Sequence, residues 1–169
     1  GCWSAGAFDN RKPLRRQALR LPDLGLFYIP NLKNRKSHMG NLNILKLCVG
    51  ADSVEDLTDW HRAHAHVWAP GTTEHITRMW PKREAELLDG GSLYWVIKGV
   101  ILARQRLLAL EERRGGDGVA RCALVLDPEV IRTEPAPRRA FQGWRYLDGA
   151  DAPRDLPKGR AADDALPPE

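Results

Sequence analysis

The sequence lacks most of the features that assign a function at sight. Its three cysteines, Cys2, Cys48 and Cys122, show no Cys-x-x-Cys spacing, which argues against a disulfide framework or a thiolate zinc site. No apolar run approaches the roughly 18 residues of a membrane span. The start of the chain lacks the continuous apolar core of a secretory signal. A soluble cytoplasmic protein with no membrane partner is expected. There is no His-Glu-x-x-His, no Gly-x-Ser-x-Gly elbow, no phosphate loop ending in Lys-Ser/Thr and no Gly-x-Gly-x-x-Gly after a strand-like run. Zinc peptidase, α/β-hydrolase, P-loop and dinucleotide chemistry therefore lack their signatures. No cofactor is implied, and nothing in the sequence bears on oligomeric state.

What is present is a globular composition with unevenly placed charge. An apolar fraction of 43% and a charged fraction of 28% over 169 residues suit one domain with one core. The net charge of +4 is misleading. Residues 1 to 38 carry eight Arg and Lys against Asp9 and Asp23, a local net of +6, which leaves −2 for the rest. An anionic partner of the main domain must then be held by a local patch, because there is no overall positive field. Residues 1–38 also show no periodicity, so they are expected to be a basic extension, disordered or not part of the native protein, with Met39 as a candidate start. A nucleic-acid-binding arm is the alternative.

After Met39 the periodicities are clear. Leu42–Val49 reads as a strand. Ser53 is placed to cap a helix running to about Ala65, with Asp56 completing a capping box. Glu74–Trp80 alternates as a strand does, Pro81 can start a short helix, and Gly90 or Gly91 can end it. Ser92–Lys98 and Val100–Leu110 read as strands with Gly99 as a bend or bulge. Gly115-Gly-Asp-Gly marks a hairpin into Val119–Leu126. Val130–Thr133 can form a short strand that Pro135 and Pro137 break, and Phe141–Leu147 an aromatic segment closing on the sheet. From Asp148 the chain is rich in Pro, Asp and Ala, and 148–169 is expected to be a disordered tail. Few helices and many short strands suggest an α+β fold, with a small, mostly antiparallel sheet curled into a partial barrel over residues 39–147.

The run from Asn43 to Leu147, especially LKLCVGADSVEDL, TRMWPKR, LLDGGSLYWVIKGV and CALVLDPEVIRTEPAPRRAFQGWRYL, resembles the bacterial domain of unknown function 1489 family. That family carries no established activity. More distantly, the order of strand, Pro-Lys-Arg helix, Gly-Gly turn, aromatic strand and basic strand is similar to the ASCH branch of the PUA-like superfamily. Its members are small β-barrels, many of which bind RNA or modified bases. The resemblance implies a PUA-like β-barrel with about two helices and a cleft. In that branch the turn commonly reads Gly-x-Lys. Here Gly90 and Gly91 match it, Ser92 stands near the Lys position, and Lys98 is the nearest basic residue on the strand. The departure counts against the amidohydrolase activity of some ASCH proteins and leaves a binding cleft.

Three groups of residues can carry chemistry. Arg78, Trp80, Lys82, Arg83, Trp95, Lys98, Arg104 and Arg106 interleave cations for phosphates with flat surfaces for unstacked bases, as RNA or nucleotide binding requires. The competing reading places Trp80 and Trp95 in the core. Arg132, Arg138, Arg139, Trp144 and Arg145 surround a Pro-rich loop, a usual place for binding groups, although the aromatics there can simply pack. His61, His64, His66 and His75 contain one helical pair that could face a metal, but satisfied imidazoles are the default and no metal site is expected. A small hydrolase using Lys98 with Glu84 or Glu86 remains a further alternative.

Overall fold

The computed structural model describes residues 42–157. The elements are β1 (Leu42–Leu47), α1 (Val54–His64), β2 (Thr73–Thr77), α2 (Glu84–Leu88), β3 (Ser92–Ile97), β4 (Val100–Arg114), β5 (Ala120–Leu126), β6 (Ile131–Pro137) and β7 (Trp144–Asp148). Single 3-10 turns follow α1 and β7. The extension expected at 1–38 lies outside the described residues.

The fold is α+β, with seven strands in one mixed sheet, six of them in the order β2-β5-β4-β3-β1-β7 and the seventh, β6, paired with β4 off this path. The β1–β3 pair is parallel and the other pairs are antiparallel. β4 is the hinge of this arrangement. Its first half pairs with β3 on one edge, and β6 and then β5 succeed each other along the other edge. The expected barrel is not closed, since the strand path ends at β2 and β7 and no ladder joins those two strands. Side chains bridge the gap instead, as described below.

Burial follows the two-residue period of strands. Leu42, Ile44, Leu93, Trp95 and Ile97 enter one core with Val54 and Leu57 of α1, Leu87 of α2 and Leu124 and Leu126 of β5. Leu45, Tyr94 and Val96 point the other way, into a smaller core with Ile101 and Leu147. Covering both faces explains why β1 and β3 read as nearly continuous apolar runs. Each fully buried Leu or Ile contributes roughly 1.5–3 kcal/mol.

Local signals placed several boundaries. Ser53 Oγ accepts from the Asp56 amide at 3.1 Å and Asp56 Oδ2 accepts from the Ser53 amide at 3.0 Å, closing the expected box. The Gly-Gly pair divides its work. Gly90 takes φ of 81° beyond the end of α2, a conformation glycine adopts freely. Gly91 is needed for space, because a Cβ there would sit against the carbonyl oxygens of Leu87 and Leu42, the latter at 2.5 Å. Gly91→Ala is therefore expected to lower stability by about 2–3 kcal/mol, measured as a reduced urea midpoint with an unchanged slope.

Other boundaries differ from expectation. Of the two readings of Gly99, the bend holds and the bulge does not. Lys98 and Gly99, at φ of 47° and 81°, form a two-residue hairpin turn, whose positive φ values match the twist of the flanking strands. β6 runs through both prolines: Pro135 falls where the ladder with β4 shifts register, between the residues facing Ile101 and Ala103, and Pro137, opposite Val100, is the last residue of the strand;. The tail expected from Asp148 is also corrected as far as Pro157. Asp148 ends β7, Asp155 bridges to Thr133, and the Glu134 amide donates to the Arg154 carbonyl at 2.8 Å. Composition suggests disorder, but the edge of β6 supplies these residues with partners.

Candidate nucleic-acid interface

The structure divides the sequence-predicted residues into an exposed loop, a second cationic corner, one isolated arginine and two interior residues. The loop comes first. β2 ends at Thr77 and α2 begins only at Glu84, so Arg78, Met79, Trp80, Lys82 and Arg83 stand on the connection rather than on a strand or helix. The expected strand through Trp80 and helix from Pro81 are thus both shortened. Pro81 is buried, while its neighbours Trp80 and Lys82 are exposed.

The connection is tied at both ends. The Met79 carbonyl accepts from Thr77 Oγ1 at 2.7 Å and from Trp144 Nε1 at 3.0 Å. The Arg83 amide donates to the Tyr146 hydroxyl at 3.1 Å, and its guanidinium lies 5.6 Å from the centre of the Tyr146 ring. Arg83 also donates to both carboxylate oxygens of Glu86, at 2.7 and 2.6 Å, which raises its pKa further. Between these ties Trp80 is left 42% exposed and Met79 65%. No other Trp, Tyr or Phe among the described residues is as exposed as Trp80. Arg78 and Lys82 are exposed, and among the described residues neither has an ion pair.

Lys98 stands elsewhere, in the β3–β4 turn, 3.2 Å from Asp52. Arg138 adjoins it through its amide, which donates to the Gly99 carbonyl at 2.7 Å, while its guanidinium reaches the Asp151 carbonyl. Arg139 is exposed beside Arg138. This corner has cations and no exposed aromatic ring. Arg145 projects from the face of β7 opposite Trp144 and lies over Phe141, 5.7 Å from its ring centre.

Two expected cleft residues are interior, which corrects their placement. Trp95 is 2% exposed; its Nε1 donates to Gln105 Oε1 at 2.8 Å and its ring meets His75 edge-on at 5.2 Å. No ring face is left for a base. Arg104 is 8% exposed and donates to both oxygens of Asp155 and to Ser92 Oγ, so it faces the smaller core rather than solvent. The alternating pattern of β4 signals that half its side chains are internal. It does not signal that Arg104, in the other half, is covered too.

The alternative sites fare differently. His64 Nδ1 lies 2.9 Å from the Trp60 carbonyl and its ring stacks on Trp60, His66 is exposed, and His61, from α1, and His75, from β2, are packed between those two elements. Among the described residues no three His, Cys, Asp or Glu side chains are arranged to hold a metal. Glu86 is held by Arg83 and Lys98 by Asp52, and no contact brings them together as a hydrolase would need. Burial pushes the Cys122 thiol up to about 11, so it stays protonated. A groove of about 520 Å³ between α1 and the β5–β6 connection, with Thr58, Val130 and Leu156 on its walls, contains none of the interface residues. Its arginines are neutralised locally, Arg62 by Asp59 and Arg132 by Glu55.

Fold and surface together define a small α+β domain carrying a cationic loop with one presented indole. The chain belongs to the family described as "Protein of unknown function (DUF1489)", which it matches over residues 44–169. No curated protein and no solved structure matches it. Among the described residues, no helix is long and apolar enough to cross a membrane.

Proposed function

We propose that this domain binds RNA or a nucleotide-containing ligand on the Arg78–Arg83 loop. The observation that carries the reading is the exposed Trp80 set between two cations, Arg78 and Lys82, that no acid neutralises among the described residues. An unstacked base needs a flat apolar surface, and stacking on one contributes roughly 1–3 kcal/mol. Phosphates need cations free to exchange their counterions. Arg83 is already committed to Glu86, so it shapes the loop more than it supplies charge. With a net of −2 outside residues 1–38, attraction has to come from these few side chains. The similarity of the element order to the ASCH branch of PUA-like proteins supports the same reading; on the separate corner Arg139 is an exposed cation, while Lys98 is paired with Asp52.

The test is fluorescence anisotropy of the full chain with a labelled single-stranded RNA of about 12 nucleotides, at about 50 and 200 mM salt. Two phosphate contacts give a salt slope near −1.4, at about 0.7 per contact. Arg78→Ala with Lys82→Ala is expected to remove most of that slope. Trp80→Ala is expected to weaken binding about 5- to 150-fold while leaving the slope in place. Absence of binding at low salt, or binding indifferent to these substitutions, would falsify the proposal.

A further inference from the structure

We infer that Trp144 and Tyr146, which lie far along the chain from the loop, are its positioning residues and hold it in the conformation that presents Trp80; the inference rests on the reading above. In sequence the two aromatics belong to a different segment, with separations of 65 residues between Trp144 and Met79 and 63 between Tyr146 and Arg83. In the fold they occupy one face of β7, two residues apart, and their rings meet edge-on at 4.9 Å.

Each makes a different bond to the loop. The indole N–H of Trp144 donates to the Met79 carbonyl on one side of Trp80, and the Tyr146 hydroxyl accepts from the Arg83 amide on the other. Pro81, between them, fixes its own φ and is buried;. The backbone on both sides of Trp80 is therefore restrained while the indole itself remains exposed. Neither β7 aromatic is placed to stack on a ligand. Trp144 is 8% exposed, and the Tyr146 ring lies beneath the Arg83 guanidinium. A loop ordered before binding loses less conformational freedom when a ligand arrives, so restraint of this kind raises affinity without adding a contact.

The test separates positioning from contact. Tyr146→Phe keeps the ring under Arg83 and removes only the acceptor. In the free protein, hydrogen exchange of the Arg83 amide is expected to accelerate. Affinity for the same labelled RNA is expected to fall roughly two- to tenfold, the worth of one hydrogen bond, with the salt slope unchanged because no phosphate contact is lost. Trp144→Phe, which keeps most of the bulk and loses the N–H, is expected to act alike; if it fails to fold, Tyr146→Phe decides alone. Unchanged exchange at Arg83, or faster exchange with unchanged affinity, overturns the inference. A reduced salt slope in Tyr146→Phe overturns it as well, since Tyr146 would then be meeting the ligand itself. If the unsubstituted protein binds no RNA, the proposed function falls, and the exchange measurement still shows whether the two aromatics hold the loop.

Discussion

Asp155→Ala should lower the stability of the domain by about 3 kcal/mol, the low end of what removing one partner from a buried ion pair costs. Arg104 Nε and Nη2 each lie 2.6 Å from an Asp155 oxygen, and Nη1 donates to Ser92 Oγ at 3.0 Å. Beneath them is Tyr94, whose hydroxyl burial pushes up to about 12. Without Asp155 the guanidinium would keep its charge and lose its counter-ion in a poorly solvated place, and that uncompensated charge is the main cost. The low end applies because the Asp155 side chain retains 29% exposure, so water can partly replace it. Residues 154–156 would loosen too, since Asp155 sits between the two backbone bonds that tie this segment to β6. Asp155→Asn, which keeps an acceptor, should lose less. The check is urea unfolding of Asp155→Ala, Arg104→Met and the double variant. If desolvation is the cause, the double variant recovers part of the loss. A loss under about 1 kcal/mol for Asp155→Ala would rank the pair with exposed ones and rule out a buried-charge cost.

A fall from pH 7 to pH 5 should cost about 4 kcal/mol, through His61 and His75. His61 projects from α1 and His75 from β2 into one small cavity beside Cys48 and Trp95. The His61 Nδ1 and His75 Nε2 atoms are buried with no partner among the described residues. Burial, the largest cause for each, lowers His61 to about 4 and His75 to about 3; His64 adds to the first effect, and Lys46 and His61 to the second. Glu74, the carboxylate lining the same cavity, is bonded to Arg113. Both imidazoles thus stay neutral in the fold, while in the unfolded chain they take up a proton near pH 6.5. The stability is fully present above that value, declines as pH falls below it, and stops declining only below the folded values of about 4 and 3;. At pH 5 each group accounts for about 2 kcal/mol, because stability falls by about 1.4 kcal/mol per imidazole for each pH step below about 6.5. Asp117, which Arg121 holds well below the usual carboxylate range, titrates too low to contribute in this interval. Urea unfolding at the two pH values measures the loss, and His75→Phe should remove about half of it. A pH-independent midpoint between pH 7 and pH 5 would mean that the imidazoles are solvated.

Much of this molecule can be read from neighbours along the chain. The Ser53–Asp56 box, the apolar stripe of α1, the β4–β5 turn at Gly115–Gly118 and the nearly continuous apolar runs of β1 and β3 are local features, and local features are written in sequence order. What could not be read depends on distant partners. Pro81 looks like a helix start, yet Thr77 and Trp144 both bind the Met79 carbonyl and hold the chain out as a loop before α2 begins. Pro135 and Pro137 look like strand breakers, yet the register shift against β4 accommodates Pro135, and Pro137 stands at the strand's end opposite Val100. Arg104 looks like its neighbour Arg106; one has Asp155 over it and the other is exposed.

The residue types at the candidate interface, Arg78, Trp80 and Lys82 at every second position of Arg-Met-Trp-Pro-Lys, were determined by the sequence alone, as were the glycine-ended short helix and the strands around them. Which tryptophan faces out was decided only by the tertiary structure. Trp80 and Trp95 have the same chemistry, and the sequence leaves open whether each is core or cleft. One is covered because β3 is central in the sheet and packs on both faces. The other is presented because β7 grips the backbone on both sides of it and leaves its ring in solvent.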